Sequence, residues 1–175
     1  MSWKTIVSQD LVSMGLPPKW RWRYHITQRI AVFIRLLRIC EHYRSKTGLG
    51  RLIYFVYRFR FERVSEALGF DIPLGTFAPG LSIAHRGPII VNGNARVGRN
   101  CRIHPGVTIG AVRGQCPTIG DDVFIGPNVG IYGPINVGNG AVLGPSSLIN
   151  FNVAEGQTTF GPRAVIKSTP STAKR

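Results

Sequence analysis

Ile119-Gly120-Asp121-Asp122-Val123-Phe124-Ile125-Gly126-Pro127-Asn128-Val129-Gly130-Ile131-Tyr132-Gly133-Pro134-Ile135-Asn136-Val137-Gly138-Asn139-Gly140-Ala141-Val142-Leu143-Gly144-Pro145-Ser146-Ser147-Leu148-Ile149 repeats on a period of six. An aliphatic side chain stands at 119, 125, 131, 137, 143 and 149, often followed by Gly. Four residues further into each unit comes a second apolar or small one: Val123, Val129, Ile135, Ala141, Ser147 and Val153. Upstream the same beat runs through Val91, Val97, Ile103 and Ile109, with Ala95, Cys101 and Val107 between them. A fixed period marks a solenoid in which each unit buries its apolar face on its neighbours. Helices need a period of 3.6 and ordinary strands a period of two, so neither generates this series. Six residues suit a short strand plus a corner, and three such units close a triangular coil, a parallel β-helix. Pro127, Pro134 and Pro145 break helices but sit comfortably at corners.

The 175-residue chain carries a net charge of +14, unevenly spread. Residues 1–70 hold 13 Lys or Arg against 4 Asp or Glu, and residues 71–175 hold 9 against 4. Cys40, Cys101 and Cys116 form neither a disulfide framework nor a metal-binding pattern, which suggests a reducing compartment. The first twenty residues lack the basic-then-apolar order of a secretory signal. The apolar runs Ile30–Cys40 and Leu52–Phe59 are too short and too interrupted by arginine to span a bilayer. A cytoplasmic location is expected, with peripheral attachment to the inner face of the membrane as an open variant.

Three divisions follow: a basic amphipathic helical region over 1–69, the β-helix over 70–167, and a polar tail over 168–175. Within the first, helices are expected over 3–14, 26–44 and 49–67, and irregular first coils up to residue 90. Between the first two helices, Lys19-Trp20-Arg21-Trp22-Arg23-Tyr24 alternates cationic and aromatic groups. The helices' apolar stripes serve either packing, internal or against a partner subunit, or contact with an anionic membrane through residues 19–63. Nucleic acid is not an expected partner, because no recognition motif accompanies the charge.

Four histidines could do chemistry. His25 and His42 belong to the cationic helical region, where exposure or local hydrogen bonding is the simpler role. His104 follows the inward Ile103, where most units carry Gly. An 18-residue coil would put His104 one layer above residue 86 and beside His85, with layers about 4.8 Å apart. Asn92 is expected near His85 as a polar partner. Ile109 to Ile119 is ten residues instead of six, so Gly110–Pro117 contains a four-residue insertion. Solenoid insertions emerge as loops. This one is expected to project just after His104, so that loop and histidines converge. A metal centre would need a third histidine with suitable spacing, so none is expected.

Gly80-Leu81-Ser82-Ile83-Ala84-His85-Arg86-Gly87-Pro88-Ile89-Ile90-Val91-Asn92, then Gly106-Val107-Thr108-Ile109-Gly110 and Pro117–Gly126, resemble the hexapeptide-repeat acyltransferases. The likeness is to the serine acetyltransferase family and its short relatives that O-acetylate sugars or polysaccharides, over about residues 70–167. It implies a left-handed coil, a homotrimer, and acetyl-CoA as co-substrate in a groove between subunits. The acceptor would be a small molecule or a saccharide: serine is the leading one, and a sugar hydroxyl in a surface polysaccharide or its precursor is the alternative. His85 would be the general base toward that hydroxyl, and His104 a second acid–base or supporting group. Gly110, Arg113, Gly126, Arg163 and Lys167 would face CoA, and Asn92 and Cys116 the acceptor. The chain departs from the serine enzymes at Ala84, where they carry Asp, and at Cys116, where they carry a second histidine before proline. Those departures bear on the acceptor more than on acetyl transfer. A non-catalytic β-helix scaffold binding acidic partners is the rival reading.

Overall fold

The computed structural model describes residues 2–162. Four helices come first: α1 Trp3–Ser13, α2 Tyr24–Thr27, α3 Arg29–Tyr43 and α4 Leu49–Leu68. The helix expected over 26–44 is divided at Gln28, whose backbone (φ −129°, ψ 68°) leaves helical space. That break lets Tyr24 bury its ring with Val7, Leu11 and Ala31 while Val32–Ile34 join the main core. Helix α4 stops at Gly69, whose left-handed φ of 76° favours a residue without a side chain.

The chain then winds as a left-handed parallel β-solenoid of three sheets. The first contains β1 Phe70–Asp71, β3 Ile89–Val91, β6 Thr108–Gly110, β9 Gly130–Tyr132 and β12 Leu148–Ile149. The second contains β4 Arg96–Val97, β7 Thr118–Ile119 and β10 Asn136–Val137. The third contains β2 Ser82–Ile83, β5 Arg102–Ile103, β8 Phe124–Ile125, β11 Val142–Leu143 and β13 Thr158–Thr159. The beat residues stack inward in columns, such as Ile83, Ile103, Ile125 and Leu143 in the third sheet. A glycine after the aliphatic residue is a stacking requirement. A Cβ on Gly98 would lie 2.5 Å from the backbone of Gly120 in the next coil.

One expectation about register holds and one needs correction. First, the solenoid starts at Phe70 with irregular turns: Phe70 pairs with Ile89 and Phe77 bridges to Val97, offsets of 19 and 20 residues. The first layer is roofed by helices instead of another narrow coil, so aromatic side chains fit inward there. Phe33 stacks on Phe61 at 5.2 Å and meets Phe70 edge-on at 5.0 Å, joining cap and solenoid in one core. Second, Ile83 pairs with Ile103, an offset of 20 residues instead of 18. The extra two lie in the corner between Ile83 and Val91. His104 therefore follows Ile103 above Ala84, not above residue 86.

An ionic knot fastens the cap. Asp10 on α1 accepts from Arg38 Nε at 2.8 Å and from the backbone N–H groups of Gly80 and Leu81 at 2.7 and 2.9 Å. Arg38 also donates to the carbonyls of Phe77 and Ala78 and to Glu41. Burial lowers the Arg38 pKa, but the hydrogen bonds to Asp10 and Glu41 and their negative charges together outweigh it and raise the pKa.

Candidate functional site

Each coil turns from the third sheet into the first at a corner just after β2, β5, β8 and β11. Ala84, His104, Gly126 and Gly144 occupy equivalent places in that column. At the lowest corner the two extra residues carry His85 outward, where it is exposed. Gly87 N–H donates to Leu68 O at 3.1 Å and holds the widened turn on the end of α4.

The His85 and His104 rings lie 6.3 Å apart at 66°. His104 is half-buried, its ring 5.0 Å from Phe124, and its backbone N–H donates to Ile125 O at 3.1 Å. Its Nε2 is buried without a hydrogen-bond partner among the described residues. Burial, then the neighbouring Arg102 and His85, lower its pKa. The pair thus combines a solvent-facing imidazole with a neighbour held in its neutral form, whose free nitrogen can bond a ligand.

Beside this corner opens a pocket of about 460 Å³. Arg29 and Gln28 approach from the cap, and Ser82, Ala84, Arg86 and Arg102 from the coil. Arg102 Nη1 donates to Ser82 Oγ at 3.5 Å. Three guanidinium groups and no carboxylate line it, which suits an anionic group beside a hydroxyl. A larger cavity of about 640 Å³, under α4, is lined by Glu62, Glu66 and Asp71 as well as arginines, and its Arg58 and Glu62 are already paired. Sequence reasoning had passed over Arg29, Arg86 and Arg102. The signal was present for Arg102: it precedes an inward residue, so it points outward, one coil above Ser82.

The expected convergence of loop and histidines does not occur within one chain. The insertion leaves the first sheet at its far edge, after Gly110, while the histidines sit at its near edge. A three-residue strand, about 10 Å, separates the two corners. Val112 and Gln115 exchange backbone hydrogen bonds at 3.0 Å, with Arg113 (φ 51°) and Gly114 (φ 79°) forming the turn of a small hairpin. Asn92 belongs to this far edge, too. Its Oδ1 accepts from Asn94 N at 3.0 Å and Cys116 Sγ at 3.2 Å, so Cys116 and not His85 is its partner. Gly110 faces the Tyr132 ring, where a Cβ would come within 2.7 Å. Gly126 lies in the histidine column, one coil above His104. Arg113 is exposed at the hairpin tip. Arg163 and Lys167 lie outside the described residues.

The thiols of Cys40 and Cys101 are pushed up by burial to about 11 and about 12. Among the described residues, no three His, Cys, Asp or Glu side chains gather as metal ligands would.

Residues 116–150 match the family model of the bacterial transferase hexapeptide (six repeats). The serine acetyltransferase of Buchnera aphidicola subsp. Acyrthosiphon pisum is 30% identical over 140 residues, covering 77% of this chain. The chain spans 50% of that relative's length. WcaB of Escherichia coli strain K12, assigned as a colanic acid biosynthesis acetyltransferase, is 30% identical over 138 residues, which is 76% of this chain and 85% of WcaB. The crystal structure of Neisseria gonorrhoeae serine acetyltransferase superposes with a TM-score of 0.71 at 27% identity, covering 97% of this chain and 69% of that one.

Proposed function

This chain belongs to the hexapeptide-repeat acetyltransferases, the family of serine and sugar O-acetyltransferases, and from that premise we propose that it moves acetyl from acetyl-CoA to an acceptor hydroxyl. The exposed His85, 6.3 Å from a half-buried His104 whose pKa is lowered, is the observation that carries the reading, with Ala84 and Arg86 on either side of His85 lining an arginine-rich pocket. His85 takes the acceptor's proton as its oxygen attacks the thioester carbon. The tetrahedral intermediate collapses by breaking the carbon–sulfur bond, and the imidazolium returns the proton to the departing CoA sulfur. Backbone N–H groups stabilise the oxyanion, and His104 Nε2 positions the acceptor.

A homotrimer completes the site. The far-edge group of Asn92, Cys116, Gly110 and Arg113 would meet the near-edge histidines of the next subunit, with acetyl-CoA between them. The separation of the two corners within one chain supports this. Gly126, Arg163 and Lys167 remain proposed as further CoA contacts. The acceptor carries an anionic group for Arg29, Arg86 and Arg102, either serine's carboxylate or an acid or phosphate on a saccharide. The saccharide is favoured, because the chain spans 85% of WcaB against half of the Buchnera enzyme. Ala84 and Cys116, which replace residues of the serine enzymes, point the same way. Dependence on acetyl-CoA and three free cysteines suit the cytoplasm.

The test is acetyl-CoA consumption by the purified protein with L-serine and a panel of neutral and acidic saccharides. Turnover with an acidic acceptor, lost in His85→Ala while the oligomer stays intact, is the expected result. Full turnover in His85→Ala would remove the base from that residue. No acetyl-CoA turnover across the whole panel would favour the scaffold reading.

A further inference from the structure

Helix α4 is apolar on two opposite faces. Phe61, Ser65 and Leu68 are buried against the core, with Tyr54, Tyr57 and Val64 beside them. On the other side Leu52, Phe55, Val56 and Phe59 follow i, i+3, i+4, i+7 spacing, continued to Leu49 one turn earlier. All five are more than half exposed, from Leu49 at 73% to Val56 at 54%. Arg51, Arg60 and Arg63 are exposed along the same helix. From α2 and the turn before it, Ile26 and Trp22 stand 75% and 78% exposed, with Arg21 and Arg23 exposed beside Trp22.

The cationic–aromatic stretch therefore divides. Trp20 and Tyr24 turn inward, with Arg35 4.3 Å over the Trp20 ring, and only Trp22 faces out. The outward surface is narrower than residues 19–63 and centres on α4. Among the described residues, no helix is long and apolar enough to cross a membrane. An apolar stripe edged by arginine is the pattern of a helix lying in the bilayer interface. A second copy is a poorer occupant. Face-to-face pairing would set Arg51, Arg60 and Arg63 against the same charges, with Glu66 as one exposed carboxylate to offset three arginines, since Glu62 is already paired with Arg58.

We propose that the outer face of α4 docks the protein on an anionic phospholipid bilayer with the helix axis in the membrane plane. Leu49, Leu52, Phe55, Val56 and Phe59 enter the acyl boundary, and Arg51, Arg60 and Arg63 meet headgroup phosphates. The docking does not depend on the transfer reaction.

Co-sedimentation of the full chain with phosphatidylcholine vesicles, with and without phosphatidylglycerol, tests it. Binding to the anionic vesicles, weakened by salt and lost in Leu52→Ser/Phe59→Ser, is expected. Arg60→Gln/Arg63→Gln should lower partitioning roughly 30-fold, at about five- to sixfold per cation. Sedimentation velocity of the same proteins identifies the competing occupant. If wild type ignores anionic vesicles, or if Leu52→Ser/Phe59→Ser binds them equally well, the proposal fails. Dissociation of that variant into smaller species, with no vesicle binding by wild type, would assign the stripe to a second copy. Acetyl-CoA consumption with a soluble acceptor stays at the wild-type rate in Leu52→Ser/Phe59→Ser, and His85→Ala still binds vesicles. Failure of docking and failure of the transfer reading are thus read separately.

Discussion

Replacing Arg38 by methionine removes five hydrogen bonds at once, to Asp10, Glu41, Phe77 and Ala78. Methionine fills much of the same space, so lost packing contributes little. What remains is Asp10, fully buried, with a carboxylate held only by the N–H groups of Gly80 and Leu81. Taking one partner from a buried ion pair costs about 3–5 kcal/mol. The two retained N–H contacts argue for the lower end of that range. The carbonyls of Phe77 and Ala78, each losing a donor worth about 1 kcal/mol, argue upward. About 4 kcal/mol is the expected loss. It falls on the junction of cap and first coil, and the chain offers a probe there: Trp3, Trp20 and Trp22 are its three tryptophans, all in the cap. In urea, the fluorescence transition of Arg38→Met should move to lower concentration by the equivalent of about 4 kcal/mol. The far-UV signal of the coils should move less, because a solenoid layer depends mainly on its neighbours. Asp10→Leu/Arg38→Met should cost less than the two single changes added together. A fluorescence shift equivalent to less than about 1 kcal/mol in Arg38→Met, the scale of an exposed pair, would refute the account of the knot.

The stacking rule predicts that Gly98→Ala, whose new Cβ would lie 2.5 Å from the Gly120 backbone, lowers stability by about 1–3 kcal/mol, measured by urea denaturation. Gly114→Val forces a branched residue to φ 79° at an open hairpin tip. The strain, of about 1–3 kcal/mol, should lower the melting temperature modestly, and the distorted hairpin should raise the KM for acetyl-CoA, if the loop covers that ligand as proposed. His104 binds its proton less tightly when folded than when unfolded. Its contribution to stability is therefore whole above the ordinary imidazole range and is lost as pH falls through its lowered folded value. NMR titration of the ring should show that low value. Arg102→Ala should raise it only partway, because burial is the larger cause.

The six-residue beat makes the architecture legible from Val91 onward because inward positions repeat on a rigid geometric period. It fails below that point for a physical reason. Phe70 and Phe77 face a layer roofed by α3 and α4, where bulky rings are admitted and the small-residue signature is absent. The two extra residues between Ile83 and Val91 fall in the same unpatterned stretch, which is why the residue under His104 was misplaced. The nearness of His85 and His104 was still readable, since an error of two residues shifts the register without changing the corner. The loop was assigned to the wrong corner, because distance along the chain does not say which edge of the prism it has reached. Counting faces does: one further strand separates His104 from Gly110. The Asp10–Arg38 knot spans 28 positions and carries no local pattern. Its one trace is that Asp10 is the sole acidic residue among the first forty, set between Val7 and Leu11 on an apolar helix face.

The column Ala84, His104, Gly126 and Gly144 gives the site an address. Each member is the same backbone position at a different height, and only the side chain distinguishes one rung from the next. Moving an imidazole up the stack is blocked on the next two rungs, where a Cβ would lie 2.8 Å from Leu143 O at Gly126 and closer still to Thr159 O at Gly144. Height above the cap comes in whole coils of about 4.8 Å. If the cap rests on a membrane, the reach of the histidines toward an acceptor held at that surface is quantised. Lengthening or shortening it means inserting or deleting an entire turn, and no intermediate setting exists.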